Sequence, residues 1–562
     1  MLDQFNKLLH LKKATPQKAI LNIERKNLAH PEGYVIRIKP DAVEILIEKP
    51  VGLFRALHTF AKIIKSCRKH EDGIPCLEIN DFPHLSRRGF MLDVSRCKVP
   101  TMQSIFSLID LLAELSYNEL QLYIEHTFAF KNHNEVWKDA SPLTSEEIQI
   151  IDQYCRERFI ELVPNLNSFG HFERWLMHSS YKHLAECPNG FQREEPFMVR
   201  DHGTTLKPNQ KSLDFINQLY EEFLPNYKSK NFNVGMDEPW ELGQGWSKNR
   251  VKKRGKDTVY LNHLEGIRSL VERHGKKMQF WADVLLEKPE NAKLLPPDSQ
   301  PIIWGYEANH PFDQQASQIS SCGLSFCLAP GTGTWRSFTG RWPSTRENLA
   351  NASTNASKHG AQGILLTSWG DCGNHQPWPI FYPGIFLGAH WAWRGKEASD
   401  LEIAKAVGLM VYNSSNSTAG EVLIELGKLD QKISSQIPNA SLAWNLLFTP
   451  QPEKLPNFLQ ENSSSDALNR GLDWLEHIFS LVSTIGDFKE SGRFKCEILL
   501  AVEMAAHGLK WGKFLLEKRD KPKINHQEIL DKYQENWLTK ARVGGLAESN
   551  SLLEKALLAH SA

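Results

Sequence analysis

The chain has 562 residues, 66 Lys and Arg against 66 Asp and Glu, with 41% hydrophobic and 23% charged residues. That is ordinary globular composition for roughly two to four domains, long enough to bury a large core without disulfides or a structural metal. The zero formal charge argues against nucleic acid or an anionic membrane as the main partner, and no stretch approaches about 18 consecutive apolar residues, so no membrane span is expected.

The opening segment, MLDQFNKLLHLKKATPQ, lacks the apolar core of a signal peptide. The nine Cys are irregularly spaced and contain no C-x-x-C, so free thiols in a reducing cytoplasm are the expectation. Residues 1–85 read as a small α/β unit. YVIRIKP and AVEILIEKP alternate as strands, and GLFRALHTFAKIIKS (52–66) has helical periodicity.

From 86 to 396 eight short apolar runs follow: FMLDV (90–94), LQLYI (120–124), IELVPNL (160–166), FNVGM (232–236), MQFWAD (278–283), PIIWGY (301–306), LSFCLAP (324–330) and GILLTSW (363–369). Helical patterns separate most of them. Two carry capping-box pairs, Thr144 with Glu147 and Ser344 with Glu347. Alternating strand and helix with near-continuous apolar strands predicts an α/β fold, a (β/α)8 TIM barrel. An open doubly wound sheet is the competing reading, weakened by the lack of G-x-G-x-x-G after the first strand. Residues 397–562 read as a C-terminal helical region with loops at NSSNSTAG (413–420) and TPQPEKLPN (449–457).

In such a barrel the active site forms at the C-terminal strand ends. Strand one is preceded by Arg88 and ends near Asp93; strand two ends at Tyr123 and Glu125. Strand three leads through SFGH to His171, and strand four ends in Asp237-Glu238. Strands five to eight end in or lead to Trp281 and Asp283, Trp304 and Tyr306, Trp335, and Trp369 and Asp371. Ten of the 16 Trp lie between Trp240 and Trp393, which suits either a large aromatic core or flat pocket walls for sugar rings. Trp240 and Trp246 follow the acidic pair and are expected on the aglycone side, whereas Trp342, Trp378, Trp391 and Trp393 read as packing. Neighbours on a regular strand face opposite ways, but where the backbone turns away both Asp237 and Glu238 can reach one mouth. Two like charges close together push one carboxyl up as a general acid.

NVGMDEPWELGQG (233–245) resembles the acid/base motif of family 20 glycoside hydrolases, the β-N-acetylhexosaminidases. DFPHLSRRGFMLDVSR (81–96), ELVPNLNSFGHFE (161–173) and TSWGD (367–371) resemble that family's first, third and eighth strands, in order, over roughly residues 20–396. The resemblance implies exo-acting, substrate-assisted, retaining removal of terminal β-linked GlcNAc or GalNAc, with Glu238 as acid/base and Asp237 holding the acetamide N–H. It further implies that Arg88 binds sugar hydroxyls at C3 and C4, Asp371 those at C4 and C6, that His171 supports the acid, and that Trp281, Trp304 and Trp369 wall the pocket. The chain departs from the pattern after strand two, where it reads YIEHTFAF. It departs again after strand seven, where GTGTWRSF offers Trp335 and no Tyr for the acetamide carbonyl. The implied partner is a glycan or glycoconjugate with terminal N-acetylhexosamine, with no cofactor and no metal. The readings kept open are a non-catalytic carbohydrate-binding barrel and a glycosidase or transglycosidase on a related β-linked sugar. A metal-dependent hydrolase lacks its motifs, since there is no H-E-x-x-H. Sugar preference and oligomeric state stay undecided, and the C-terminal helices offer a dimer surface or a pocket lid.

Overall fold

A computed structural model describes residues 21–67, 74–194, 198–414, 416–449, 457–488 and 490–561. The opening segment before residue 21 and most of the TPQPEKLPN loop lie outside the described residues.

The N-terminal unit is a four-stranded sheet with one helix. Strands β1 (Leu21–Arg25), β2 (Tyr34–Ile38), β3 (Val43–Ile47) and β4 (Leu77–Asp81) lie in the order β1-β3-β2-β4. Helix α1 (Pro50–Cys67) buries Phe54, Leu57 and Phe60, the apolar stripe that its periodicity predicts.

The barrel comprises β5 (Arg87–Asp93), β6 (Glu119–Ile124), β7 (Glu161–Leu166), β10 (Asn231–Asn233), β11 (Lys277–Trp281), β12 (Gln300–Trp304), β13 (Cys327–Ala329) and β14 (Gly363–Ser368). A hairpin, β8 (Phe191–Arg193) with β9 (Met198–Arg200), is inserted after β7. All eight barrel pairings are parallel, and β14 pairs β5 to close the cylinder. Each predicted apolar run overlaps one barrel strand. Helices α2 (Met102–Glu114), α3 (Ser145–Arg156), α4 (Gln210–Phe223), α5 (Lys256–Arg273), α6 (Phe312–Ser320), α7 (Trp342–Lys358) and α8 (Tyr382–Arg394) surround it.

Thr144 and Glu147 form the expected capping box on α3. Ser344 and Glu347 do not: α7 begins two residues earlier, at Trp342-Pro343, so Ser344 sits inside the first turn. Proline's fixed φ and missing N–H favour that early start.

The barrel interior is layered. At the foot, Arg87 donates to both oxygens of Glu119 at 2.6 Å and to Gln279 at 3.0 Å, and Gln121 accepts from Asn165 at 2.9 Å. Above lies an apolar layer that includes Met91, Tyr123, Trp281, Ile302, Ala329 and Leu365. The barrel is thus plugged, and any ligand must enter from the strand ends.

The C-terminal region is helical: α9 (Asp400–Val411), α10 (Thr418–Leu426), α11 (Leu442–Leu447), α12 (Ser465–Ser483), α13 (Ser491–Glu517), α14 (His526–Lys540) and α15 (Leu546–Ser561). It grips the loops after β5 and β14. Lys98 donates to the carbonyls of Asn374 and Gln376 and lies over the Trp537 ring, and His375 meets the Ser549 carbonyl at 3.0 Å. No described helix is long and apolar enough to cross a membrane.

Candidate active site

One pocket at the C-terminal strand ends is lined by Arg96, His171, Asp237, Glu238, Trp281, Trp304, Tyr306, Trp335, Trp369, Asp371 and Asn439. Of the residues proposed from the sequence for catalysis or sugar binding, it gathers His171, Asp237, Glu238, Trp281, Trp304, Trp335, Trp369 and Asp371 but not Arg88; Asp93, Tyr123, Glu125 and Asp283 lie behind this lining.

The acidic pair reaches one mouth because the chain leaves strand geometry after β10. Gly235, Met236 and Glu238 take φ of 70°, 76° and 47°. A left-handed Met and Glu are uncommon and cost strain, which a packed site can hold. Gly235 is required twice over, since a Cβ there would lie 1.8 Å from Asn167 Oδ1. Gly170 is the other close approach: its Cβ would fall 2.2 Å from the Asp237 carbonyl oxygen, so only glycine lets the SFGH loop touch the acidic segment. The contact delivers His171. Its Nε2 lies 3.2 Å from Asp237 Oδ2 and 3.4 Å from Glu238 Oε2. Burial pulls the imidazole down, but the Asp237 and Glu238 carboxylates outweigh it and hold His171 well above its usual value. Its Nδ1 faces the Arg96 guanidinium at 3.5 Å, so the imidazole links the two acids to the pocket arginine.

Asp283 stands behind the pair. Its Oδ2 accepts the Glu238 N–H at 3.0 Å, and its Oδ1 faces Trp304 Nε1 at 3.5 Å. Burial, with the charge of Asp237, pushes it up to about 8. Glu238 itself keeps a third of its side chain exposed, at 33%, so the pair's outer member faces the open mouth.

The aromatic wall is continuous. Trp281 and Trp369 lie 5.9 Å apart, Trp304 stacks on Tyr306 at 5.3 Å, and Trp335 meets Tyr306 edge-on at 4.9 Å. Trp369 Nε1 donates to the Tyr306 hydroxyl at 2.8 Å. Trp240 packs edge-on against His171, whereas exposed Trp246 stacks with Arg250; neither is among the pocket-lining residues.

Arg88 is a correction. It sits at the start of β5, at the barrel foot, and is buried. Its guanidinium donates to the carbonyls of Leu85, Ser86 and Ser116 and to Glu32 of the N-terminal unit. The pocket arginine is Arg96, three residues past the end of β5. It pairs with Asp93 and Glu125 at 3.1 Å each and lies over the rings of Tyr123 and Trp369. Asp93 also accepts the Gly370 N–H at 2.9 Å, which ties the end of β5 to that of β14. The signal was available: strand direction places a residue after Asp93 at the rim and one before Phe90 at the foot. Asp371 is pushed up to about 6 by burial, partly offset by Arg96. After strand two, Glu125 joins this network through the Tyr123 hydroxyl at 2.8 Å. His126 is instead buried outside the pocket, and burial lowers it to about 3.

His171, Asp237 and Glu238 present ligand-type atoms within 4.8 Å of one another, a spacing a divalent cation could accept. Hydrogen bonding across the same atoms accounts for it. Chemically, the pocket offers a partly exposed carboxyl group, a buried one, an imidazole linking them and flat apolar walls: acid/base work on a ligand with apolar faces.

Comparison with known proteins places these features. The family model described as "Glycosyl hydrolase family 20, catalytic domain" matches residues 82–362, and that described as "Glycosyl hydrolase family 20, domain 2" matches residues 4–82. Among curated proteins, the chain is 24% identical to beta-hexosaminidase subunit beta of Felis catus over 56% of this chain and 60% of that one. It is 23% identical to hexosaminidase D of Homo sapiens over 48% and 57%. It is also 23% identical to beta-hexosaminidase of Porphyromonas gingivalis, over 45% of this chain and 36% of that one, so the matches span less than two thirds of these relatives. Two solved structures share the fold: a beta-N-acetylhexosaminidase from Bacteroides fragilis (TM-score 0.58, 17% identity, 73% of this chain and 88% of that one), and an exo beta-N-acetylglucosaminidase from Vibrio harveyi solved with N-acetylglucosamine (TM-score 0.59, 16% identity, 73% and 71%).

Proposed function

The chain belongs to glycosyl hydrolase family 20, and from that membership and the pocket geometry we propose that it removes terminal β-linked N-acetylhexosamine from glycans by a substrate-assisted, retaining mechanism. The observation that carries the reading is the pairing of Asp237 and Glu238 across His171 within one aromatic-walled pocket. A plugged barrel favours entry of a chain terminus rather than passage of a chain, hence an exo action.

In this reading Glu238 gives its proton to the glycosidic oxygen while the substrate's acetamido oxygen attacks C1. The aglycone leaves as an alcohol and an oxazolinium forms. Asp237 accepts the acetamide N–H and offsets the positive charge of that intermediate. Glu238, now a carboxylate, takes a proton from water, whose oxygen opens the ring at C1 from the face the aglycone left. Two inversions leave the β configuration. His171 holds both carboxylates in place. Arg96 and Asp371 bind sugar hydroxyls, the part that Arg88 cannot play. Tyr306, the single phenol lining the pocket, takes the acetamide carbonyl in place of the Tyr absent from the strand-seven loop.

A panel of aryl glycosides tests the reading. p-Nitrophenyl N-acetyl-β-glucosaminide or its galacto epimer should be cleaved, and p-nitrophenyl β-glucoside, which lacks the internal nucleophile, should be cleaved at least about 10³-fold more slowly. Equal cleavage of both would refute substrate assistance.

A further inference from the structure

The pocket has one wall that does not come from the barrel. Asn439 lies in the segment between α10 and α11 of the C-terminal region, yet it lines the same cavity as Trp335 and Asp371. Its placement is built. The Asn439 N–H donates to Glu307 Oε1 at 2.8 Å, and Arg341 clamps both oxygens of Glu307 at 3.0 Å. Arg341 also reaches the Ile437 carbonyl at 3.5 Å. Ser441 N–H donates to the Arg336 carbonyl at 3.0 Å, and Arg336 returns a bond to Asn445 at 3.2 Å. Glu307 directly follows the strand end that carries Trp304 and Tyr306, and Arg336 and Arg341 flank the Trp335 loop. The segment is therefore strapped to two of the loops that form the pocket.

Asn439 itself is left-handed, with φ of 55°, a conformation Asn accepts more readily than most residues. Its side-chain oxygen is buried and has no hydrogen-bond partner among the described residues. A buried acceptor without a partner costs stability unless a ligand supplies the donor. The backbone N–H is held by Glu307 while the side-chain oxygen is left without a partner, so the carboxamide is the group with hydrogen-bonding capacity to offer whatever fills the pocket.

We propose that Asn439 binds a hydroxyl of the terminal sugar, so that the C-terminal helical region completes the sugar site rather than only packing beneath it. The inference rests on the glycosidase reading above. A hydroxyl both donates and accepts, so it satisfies the carboxamide whichever way the amide is turned.

The test uses Asn439→Gly in the full chain. Glycine keeps the left-handed backbone and the N–H bond to Glu307 while removing the carboxamide. KM for p-nitrophenyl N-acetyl-β-glucosaminide should rise about ten-fold with kcat within about two-fold, since the contact serves substrate and transition state alike. The 3-, 4- and 6-deoxy analogues are run beside it. One of them should show almost no KM difference between wild type and variant, which identifies the hydroxyl concerned. An unchanged KM overturns the inference, as does an equal loss on the parent and all three analogues, the mark of a structural gap. If Asn439→Gly does not fold, Asn439→Ser is read on the same panel by the same criteria. Wild-type turnover of the parent substrate separates the two layers. No turnover overturns the proposed activity, and normal turnover with an unaffected variant overturns Asn439 alone.

Discussion

The side chain of Asp283 accepts the backbone N–H of Glu238 through Oδ2 at 3.0 Å, from the end of the neighbouring strand. The bond reaches the general acid through its main chain, at the residue where φ is 47°. Asp283 is thus a positioning residue that holds a strained turn in the conformation that aims Glu238 at the mouth. Asp283→Ala should lower kcat about 10- to 100-fold with KM within a few-fold, because misplacement affects the proton transfer more than sugar binding. Asp283→Asn, which keeps an acceptor, should recover most of that loss. If Asn recovers nothing while both variants fold, the positioning role assigned to the bond with the Glu238 N–H is wrong.

The same residue sets a pH dependence of stability. Between its ordinary value near 4 and its folded value of about 8, the unfolded chain gives up the Asp283 proton while the folded chain keeps it. The unfolded state then binds fewer protons, so this group makes folding less favourable as pH rises and levels off above about 8. Asp371 (about 6), Asp430 (about 7) and Glu497 (about 7) act in the same sense, each through burial. Asp283→Asn should match wild type in Tm at pH 4 and exceed it at pH 8 by at least about 1–2 °C. Thermal melts at the two pH values check it; a gap of equal size at both would contradict the assignment.

Asp237 and Glu238 hold the His171 imidazole well above its usual value against the pull of burial. Its titration should be absent from the pH–rate profile around 6.5. His171→Ala should lower kcat about 10²-fold, since two carboxylates would then face each other without the imidazole between them. Profiles of kcat and kcat/KM from pH 4 to 9 measure both effects.

The two arginines should separate cleanly. Arg96→Ala removes a charged pocket donor and should raise KM about 10- to 100-fold. Arg88→Ala should leave KM near wild type but cost about 2–4 kcal/mol of stability in denaturant titrations, because it strips a buried pair with Glu32 and three carbonyl partners. A reversed pattern would return the sugar site to Arg88.

Tyr306→Phe tests the acetamide carbonyl. Loss of the hydroxyl should lower kcat/KM about 10-fold on the 2-acetamido substrate while leaving the Trp304 and Trp335 contacts in place. An unchanged kcat/KM would return the carbonyl to another donor.

Much of this architecture is legible in the chain because parallel barrel strands, covered on both faces, read as short apolar runs. Once the eight apolar runs are taken as strands, the direction rule brings Asp237, Glu238, Asp371 and four tryptophans to one rim. The same rule sends Arg88, at the start of its strand, to the foot and Arg96, past its end, to the mouth, although the motif resemblance points to Arg88. The capping pair at Ser344 was spacing without context, since Trp342-Pro343 had already begun the helix. Asp283 was visible at its strand end, but its bond to the Glu238 backbone depends on how two loops meet. Asn439 had no local signal at all: its place comes from the Glu307–Arg341 clamp, between residues far apart in the chain.

The most direct measurement is hydrolysis of p-nitrophenyl N-acetyl-β-glucosaminide by wild type and Glu238→Gln at neutral pH. The account predicts steady release of p-nitrophenol by wild type and a fall of about 10³-fold or more in kcat for the variant, which folds normally but has lost the proton donor. A Glu238→Gln enzyme that retains near wild-type kcat would contradict it.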